Sequence, residues 1–349
     1  MKIAQLMLAK QFGGAERSFV DLTVQLNDMG HEVLAIGERY SESLDRIEAV
    51  DLPTARVSCL GTWDIFTIKA IKKVLQKFVP DVLHCHLARG SYLGGKAGRQ
   101  LGIPVISKTH NLVDPKYYKN IDRIVVTTLA QKTHLKNHGV NTRRIALIPN
   151  FSSIKSRCRG SRTYSDTGTY TIKSLGRFVR KKGFDTLIEA ISLVKKRTGW
   201  DIKLVLGGDG PEAKSLRRLT EKLDACDSVE FCGWIDDVPG FLEDADLFVL
   251  PSREEPFGIV LLEAMAMSVP ILSTQTQGPI EILDEFSGFF TEADDPDKMA
   301  IDIVTLFLSD VRYAKAEAAL KNFEKFYTVE NICEKYCFIY RELINQQVF

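Results

Sequence analysis

The first half of the chain alternates short apolar runs with stretches of helical periodicity. The pattern predicts an amphipathic helix over residues 15–29, ended by Gly30 where a left-handed C′ glycine is common. Gly102 and Gly139 stand near the ends of later helical stretches. The apolar runs are predicted to be strands, at residues 3–8, 31–36, 82–86, 105–109 and 123–127. Such alternation is typical of βαβ units and a mostly parallel sheet.

The alternation stops at residues 151–169, where the sequence is rich in Ser, Thr, Arg and Gly and has the composition of a linker. From Pro296 onward the pattern is helical only, and a last helix is predicted over about 331–345 with no strand after it. Between these points the chain has a second set of predicted strands, at residues 170–175, 202–206, 229–232, 247–250 and 270–273.

Length and composition agree with two domains. The 349 residues are 45% hydrophobic and 26% charged, which is the range of a soluble globular protein long enough for two cores. We expect an α/β fold of two Rossmann-like, doubly wound domains, over residues 1–152 and 170–330, with a linker at 153–169. A ligand of such a fold would lie between the carboxyl ends of the two sheets.

Charge and cysteine content restrict the class of protein further. A formal net charge of +1 gives no reason to expect a nucleic-acid partner. Residues 1–8 are expected to form a strand and not a signal peptide, and no apolar run is long enough to predict a spanning helix. The seven cysteines contain no CxxC pair and favour reduced thiols in the cytoplasm. Cys333 and Cys337, one helical turn apart, are expected to pack in a core, and no metal site is predicted.

Residues 251–263, PSREEPFGIVLLE, place two carboxylates at a predicted strand-to-helix turn. Glu255 and Glu263 can accept hydrogen bonds from several hydroxyls of one ligand, while the free amides of the helix start can bind an anion. Apolar residues surround Glu263 in its predicted helix, so its carboxylate should be partnered or line a site. A ligand with many hydroxyls and a phosphate is a sugar nucleotide.

Four cations follow the first predicted strand of the second domain within six residues: Arg177, Arg180, Lys181 and Lys182. Arginine can bind a diphosphate through two hydrogen bonds, and lysine adds a point charge. These charges would neutralise a diphosphate as a metal otherwise would. The alternative is a solvated basic loop, but the position at the carboxyl end of a strand favours binding.

Two glycine-containing turns also follow predicted strands. Gly13 and Gly14 come after the first strand, where glycines let the backbone approach a phosphate, although a tight turn without a ligand is equally compatible. In GGDGP, Gly208 and Asp209 could leave room for a base or sugar, or the glycines could serve the turn alone. The first turn lacks GxGxxG spacing and no clear acid ends the second strand, which disfavours a dinucleotide-dependent oxidoreductase.

Together, the segments GGAE, GRF-x3-KG, GDGP and EPFGIV-x-LEAMA resemble glycosyltransferase family 4, the retaining GT-B sugar-nucleotide transferases. The resemblance covers nearly the whole chain and favours the type that acts in bacterial lipopolysaccharide or cell-envelope synthesis. It implies a GT-B fold with a cleft between its domains and a last helix, about residues 331–349, that crosses back to the N-terminal domain. After the strand at 270–273 the family often has two glycines and a glutamate, of which only Gly278 and Glu281 fit here.

The resemblance also implies roles for side chains at the matching positions. Arg177 and Lys182 would hold the donor diphosphate. Glu255 would contact hydroxyls of the donor sugar, and Glu263 those of the ribose. His110 falls after a strand where such enzymes carry an active-site histidine, with a satisfied polar residue at a strand end as the alternative. Glu255, His110, Arg177 and Lys182 are therefore the predicted catalytic set.

Backbone contacts follow from the same resemblance. The Gly13–Gly14 loop would close over the phosphates from the N-terminal side. Backbone amides would lie beside the sugar and phosphate around Phe257, Gly258 and Ile259.

His84 and His86 share one face of a predicted strand, and a structural role is favoured for at least one of them.

The expected reaction is transfer of a hexose from a UDP-, GDP- or ADP-sugar to a hydroxyl, with retention of configuration and no required cofactor or metal. A same-face displacement, in which the leaving phosphate helps to deprotonate the acceptor, is favoured over covalent catalysis by Glu255. No pair of carboxylates placed as in a retaining glycosidase is evident. The rival interpretations are a sugar-nucleotide epimerase of the same architecture and a non-catalytic sugar-nucleotide binder.

The acceptor is expected to be a glycan or lipid-linked saccharide, with possible peripheral contact of the protein with the inner face of the cytoplasmic membrane. The predicted helix at residues 64–78 is amphipathic and basic, so it could lie on an anionic membrane. The alternative is an ordinary helix with a solvated lysine face. Its lysines are Lys69, Lys72, Lys73 and Lys77, and its apolar positions include Ile65, Ile68, Leu75 and Phe78.

Overall fold

The structure, a computed structural model, describes residues 1–61, 64–158 and 169–346. The chain forms two compact units, of which the first consists of Met1–Ser153 with Thr328–Phe349 and the second of Ile154–Tyr327. Most of the predicted linker lies outside the described residues. The described linker residues 154–158 belong to the second unit.

The first unit is built around a seven-stranded parallel sheet. Its strands are β1 (Lys2–Met7), β2 (Glu32–Glu38), β3 (Thr54–Val57), β4 (Val82–His86), β5 (Val105–Lys108), β6 (Arg123–Val126) and β7 (Ile145–Leu147). Their order across the sheet is β3-β2-β1-β4-β5-β6-β7, and every neighbouring pair is parallel. The five predicted strands are present. The two edge strands, β3 and β7, were not predicted, because they are short and only partly buried.

Helices cover both faces of this sheet. They are α1 (Gly14–Asp28), α2 (Glu42–Glu48), α3 (Ile65–Phe78), α4 (Leu87–Leu101) and α5 (Leu129–Asn137). The Asp64 carboxylate caps α3 by accepting from the amide of Phe66 at 2.9 Å, and α4 ends at Gly102 with φ 68°. Helices α3 and α4 pack on one face through Ile68, Leu75, Leu93 and other apolar side chains.

The second unit contains a six-stranded parallel sheet. Its strands are β8 (Thr169–Leu175), β9 (Asp201–Gly207), β10 (Val229–Gly233), β11 (Leu247–Leu250), β12 (Ile271–Thr274) and β13 (Phe289–Thr291). The order is β10-β9-β8-β11-β12-β13, again parallel throughout. Strand β13 was not predicted, since it has three residues and lies at the edge. Both sheets are thus of the doubly wound, Rossmann-like type that the sequence predicts.

The remaining helices follow in chain order. They are α6 (Phe184–Thr198), α7 (Ala213–Lys222), α8 (Val238–Leu242), α9 (Ile259–Ala266), α10 (Pro279–Ile282), α11 (Pro296–Phe307), α12 (Val311–Phe326) and α13 (Val329–Asn345). Helices α6 and α11 pack on one face of the second sheet, while α9 lies between the other face and α12. This enclosed position explains why α9 is apolar on most of its surface.

The last helix, α13, packs on the first unit, as predicted. Its buried side chains, Cys333 and Cys337 among them, form one core with Ile3 and Val82 of the central strands. Helix α1 covers the same face of the sheet. Among the described residues, no helix has the length and hydropathy needed to span a bilayer.

Candidate active site

Doubly wound sheets bind ligands at the carboxyl ends of the strands where the strand order reverses. In the second sheet this point lies between β8 and β11, which are neighbours although far apart in sequence. The turn after β8, residues 176–183, is called the basic turn here, and the turn after β11, residues 251–258, the acidic turn. The topology therefore brings the predicted cations and carboxylates to one edge of one sheet.

An ion pair joins the two turns. Lys182 Nζ donates a hydrogen bond to the carboxylate of Glu255, and 18% and 8% of these side chains are exposed. The Ser252 hydroxyl also donates to this carboxylate, at 3.4 Å. Because charges with so little exposure depend on each other for solvation, Lys182 and Glu255 hold each other in place.

The backbones of the two turns also interlock. The amides of Arg253 and Glu254 both donate to the carbonyl of Lys181, at 2.8 and 3.2 Å. Gly183 has φ +66°, and a Cβ there would lie 2.0 Å from the carbonyl oxygen of Pro251. Glycine is therefore required at this position both for its conformation and for the close approach of the acidic turn.

The start of α9 continues the acidic turn. Gly258, with φ 97°, directly precedes the helix, so the amide of Ile259 is one of the orphan donors of its first turn. Glu263, one turn into α9, is 3% exposed. The amide of Gly278 donates to the carbonyl of Glu255 at 2.8 Å, and a Cβ on Gly278 would lie 2.1 Å from the Phe257 carbonyl oxygen. The loop after β12 is thus anchored on the acidic turn.

The GGDGP turn after β9 packs against the basic turn. A Cβ on Gly208 would lie 2.0 Å from the carbonyl oxygen of Gly176. The carbonyl of Asp209 accepts from the amide of Phe178 at 2.9 Å, and its side chain is exposed. This close approach is one reason for a glycine at position 208, and a ligand contact of Gly208 and Asp209 stays a prediction.

Arg177, the other predicted diphosphate ligand, has an exposed side chain at the end of β8. Within the described part of the chain, its guanidinium makes no hydrogen bond or ion pair with another side chain. It is therefore available to a ligand from solution.

The first unit carries Gly13, Gly14 and His110. Gly13 caps α1 and Gly14 is its first residue. The Glu16 carboxylate accepts hydrogen bonds from the backbone of Gly13 and of Glu16, while burial, the larger effect, raises its pKa. An internal carboxylate thus already lies at this helix start, and a phosphate binding there would compete with it.

Beside this helix, polar side chains of β1 and β4 and of the end of β5 form a cluster that we call the polar layer. It consists of Gln5, His84, His86, Lys108 and His110. The rings of His84 and His86 stack with centroids 4.3 Å apart, and His86 stacks on His110 at 6.1 Å. His86 Nε2 lies 2.7 Å from Gln5 Oε1. His84 and His86 therefore share one face of their strand, as their spacing predicts.

Helices α1 and α13 supply further partners of the polar layer. Lys108 is fully buried, and its Nζ donates to the Ser18 hydroxyl at 2.8 Å. His84 Nδ1 lies 2.7 Å from the hydroxyl of Tyr340. Several buried atoms lack a hydrogen-bond partner among the described residues, including Nε2 of Gln5, His84 and His110 and Nδ1 of His86. Such atoms are typical binding positions for ordered water or a substrate hydroxyl.

Burial determines the charge state of this layer. It lowers the pKa of His84, His86 and His110 well below the usual value, and the charge of Lys108 lowers all three further. Burial also lowers the pKa of Lys108 to about 7. The three imidazoles are therefore neutral at neutral pH. Nε2 of His110 can accept or donate one hydrogen bond, according to the tautomer of the ring.

The polar layer predicts that the protein becomes more stable as pH rises. Below pH 6.5 the unfolded histidines take up protons that the folded ones do not, so stability falls on acidification. Between about pH 7 and 9 unfolded Lys108 is protonated while folded Lys108 is mostly neutral, so stability rises by up to about 1.4 kcal/mol per pH unit. At higher pH the gain is offset, because burial raises the pKa of Cys85 and Cys333 and these thiols then ionise only in the unfolded chain.

Urea unfolding at a series of pH values measures this effect. Lys108→Met should remove the gain between pH 7 and 9, whereas Lys73→Met, at an exposed position, should leave it unchanged. An unaltered gain in Lys108→Met would show that other groups cause it.

Sequence reasoning did not assign two residues of these sites. Lys108 ends an apolar strand, and a lysine that continues a buried run is the signal that could have found it. Arg253 lies in the acidic turn, but its partners are distant in sequence, so no local pattern indicates them. No group of three or more His, Cys, Asp or Glu side chains in the described ranges could hold a metal ion.

Solved structures with two such units define the class. The fold matches a glycosyltransferase from Rickettsia africae with a TM-score of 0.82, 20% identity and 98% of each chain covered. It also matches Anabaena Alr3699/HepE in complex with UDP and glucose, with a TM-score of 0.82, 19% identity and 98% and 100% of the two chains covered. The fold is that of the GT-B glycosyltransferases.

Sequence comparison then identifies the family. Residues 12–153 match the model described as Glycosyltransferase Family 4, and residues 162–323 match that of Glycosyl transferases group 1. The lipopolysaccharide core biosynthesis glycosyltransferase LpsE of Rhizobium meliloti is 32% identical over 284 residues, 80% of each chain. A GDP-mannose-dependent alpha-mannosyltransferase of Corynebacterium glutamicum is 26% identical, over 95% of this chain and 86% of its own. The chain belongs to glycosyltransferase family 4 and is a glycosyltransferase.

Proposed function

We propose that this glycosyltransferase moves a hexose from a nucleoside diphosphate sugar to a hydroxyl of a glycan or lipid-linked saccharide, with retention of configuration. The main support for donor binding is the ion pair of Lys182 and Glu255, which lies where the strand order of the second sheet reverses. It places a phosphate-binding cation against a hydroxyl-binding carboxylate. The HepE complex with UDP and glucose and the GDP-mannose-dependent relative support a donor of this chemical class.

In this proposal the second unit binds the donor. Arg177 and Lys182 bind the diphosphate and neutralise the charge that develops as it leaves. These side chains thus supply the positive charge that a metal ion supplies in other transferases. Glu255 accepts hydrogen bonds from the sugar and Glu263 from the ribose. The helix start at residues 257–259 supplies amides for phosphate or sugar oxygens.

The reaction proposed is a same-face displacement. The bond between the anomeric carbon and the diphosphate oxygen breaks as the acceptor oxygen bonds to the same face of the sugar. The acceptor proton passes to the leaving diphosphate, so atoms and charge balance without a further reactant. Direct attack by Glu255 is the less favoured route, because its carboxylate is already paired with Lys182.

The first unit is assigned to the acceptor side. Neutral His110, with a buried Nε2 that lacks a protein partner among the described residues, can hydrogen-bond a substrate hydroxyl. The Gly13–Gly14 loop binds phosphate only if the Glu16 carboxylate gives way. The 32% identity to LpsE supports an acceptor from lipopolysaccharide core or a related envelope glycan.

A donor panel tests the function. UDP-, GDP- and ADP-sugars are screened by thermal shift, and the one that raises the melting temperature is incubated with lipopolysaccharide-core acceptors. We expect transfer, with the new linkage retaining the donor configuration by NMR. An altered sugar nucleotide formed without acceptor would identify an epimerase, and binding without hydrolysis or transfer would identify a non-enzymatic binder.

The structure changes which part of α3 could contact a membrane. Ile68 and Leu75 point into the core of the first unit, and Lys72 donates to Gln100 at 3.0 Å, so the full length of the helix is not an apolar membrane face. At its start, however, Ile65 and Phe66 are 60% and 69% exposed. We propose that the membrane contact is this tip, formed by Leu60, Ile65, Phe66, Lys69 and Lys73.

Vesicle sedimentation tests the tip. Phe66→Ser should weaken binding to phosphatidylglycerol-containing vesicles about tenfold, because it removes an apolar side chain. The pair Lys69→Glu and Lys73→Glu should weaken it at least about 30-fold, since each basic residue near an anionic surface contributes about 1 kcal/mol. Phe338→Ser, at a similarly exposed position on α13, should bind as wild type. Equal binding by the tip variants and wild type would contradict the assignment.

A further inference from the structure

Arg253 lies in the acidic turn and reaches three other segments of the second unit. Its Nη1 donates to the Arg180 carbonyl at 2.6 Å and to Asp185 Oδ1 at 2.8 Å. Its Nη2 donates to Asp185 Oδ2 at 2.9 Å and to the Thr186 hydroxyl at 3.2 Å. Its Nε donates to the carboxylate of Asp294. All three nitrogens of the guanidinium are thus used, and 21% of the side chain is exposed.

The planar guanidinium is the group that suits these contacts. It binds both oxygens of Asp185 in a fork while a third nitrogen turns toward Asp294, which a lysine ammonium cannot reproduce. Hydrogen bonding to Asp185 is the largest effect on Arg253 and raises its pKa further above an already high value, so it stays charged. The segments it joins are the basic turn, the start of α6 and the loop before α11.

Arg253 contacts the basic turn at the two residues that directly precede Lys182, a proposed ligand of the diphosphate. The side chain of Arg253 holds the carbonyl of Arg180, and its backbone amide holds that of Lys181 at 2.8 Å. Lys182 is the next residue of the basic turn, and Glu255 lies two residues after Arg253. The guanidinium therefore fixes the two backbones from which the Lys182–Glu255 pair projects.

We propose that Arg253 is a positioning residue, which sets the separation of the basic and acidic turns and so pre-organises Lys182 and Glu255 for the donor. This inference rests on the proposed function of those two residues. It assigns Arg253 no contact with substrate. Misplacement of reacting or binding groups by about 1 Å can cost about 100-fold in rate, so a residue that only holds two turns can have a large effect.

Variants of Arg253 test the proposal, with Arg197→Ala as the matched control. Arg197 forms an ion pair with Asp297 elsewhere in the same unit. We expect Arg253→Ala to raise the donor KM and lower kcat by about 10-fold each, with an unchanged far-UV spectrum, and Arg253→Lys to recover only part of the loss. Added guanidinium ion at millimolar concentration should partly restore Arg253→Ala but not Lys182→Met.

Hydrogen exchange supplies a readout that does not depend on activity. In Arg253→Lys, the amides of residues 253 and 254, which donate to the Lys181 carbonyl, should exchange about 10-fold faster, while those of α6 and β9 remain protected. The proposal would be overturned if the amides of residues 253 and 254 exchanged as in wild type in both Arg253→Ala and Arg253→Lys, or if Arg253→Ala had wild-type kinetics. A uniform loss of protection in Arg253→Ala without rescue by guanidinium would overturn it as well. A wild-type protein that binds no donor, with exchange changed as expected, would instead refute the proposed function alone.

Discussion

Replacing Lys182 by methionine should lower kcat/KM for the donor about 100- to 1000-fold. Methionine keeps most of the length of the side chain and removes its charge and its hydrogen-bond donors, so the expected loss is that of one preorganised contact to the leaving diphosphate. The same change should destabilise the second unit by about 3 kcal/mol, because the Glu255 carboxylate, 8% exposed, is left without its cation.

A double variant separates the two effects. Lys182→Met with Glu255→Gln removes both charges, so most of the lost stability should return while activity stays low. Lys195→Met removes one partner of a more exposed ion pair, with Asp227, and should change stability by less than about 1 kcal/mol and leave kcat/KM unchanged. Urea unfolding and donor kinetics on the four proteins complete the comparison. If Lys182→Met turned over the donor like wild type, its proposed role would be wrong.

Gly183→Ala should be among the most damaging single-methyl substitutions in the second unit. Gly183 and Gly199 flank the same helix, α6, with φ values of +66° and +69°. The added methyl costs about 1–2 kcal/mol at either position through its left-handed conformation. Only at Gly183 would it also meet the Pro251 carbonyl oxygen, which adds about 1–3 kcal/mol and forces the basic and acidic turns apart.

The pair therefore forms a controlled comparison. Gly199→Ala has no atom within 4 Å of the new methyl and should keep its donor affinity. Gly183→Ala should unfold at lower urea concentration than Gly199→Ala and should bind the donor at least about 10-fold more weakly. Isothermal titration with the donor found in the panel measures the affinity. Equal stability and affinity in the two variants would mean that the turns are not held at the observed separation.

Much of the fold was predictable because central strands of parallel sheets are buried on both faces. Strand β11 is a continuous apolar run, and most residues of β1 and β4 are apolar, so the type and position of these strands follow from local pattern. Edge strands have one open side, and β3, β7 and β13 have only three or four residues each, which is too short for such a signal.

The candidate site was predictable in its parts but not in its connections. Cations and carboxylates at strand ends identify the two turns, yet their meeting depends on β8 lying beside β11, which periodicity does not reveal. Lys182 and Glu255 are 73 positions apart, and Arg253 reaches Asp294 over 41. The reason for Gly208 lies in the backbone of another turn, so local reasoning could not distinguish ligand space from packing.

The return of α13 to the first unit affects the order in which a ribosome-bound chain can mature. The apolar face of the first sheet around Ile3 and Val82 is completed only when residues 328–346 have left the exit tunnel. The second unit, Ile154–Tyr327, is contiguous and has all of its residues earlier. The second unit should thus reach its native state before the first, and the N-terminal half of the nascent chain should present an uncovered surface to chaperones until α13 has emerged.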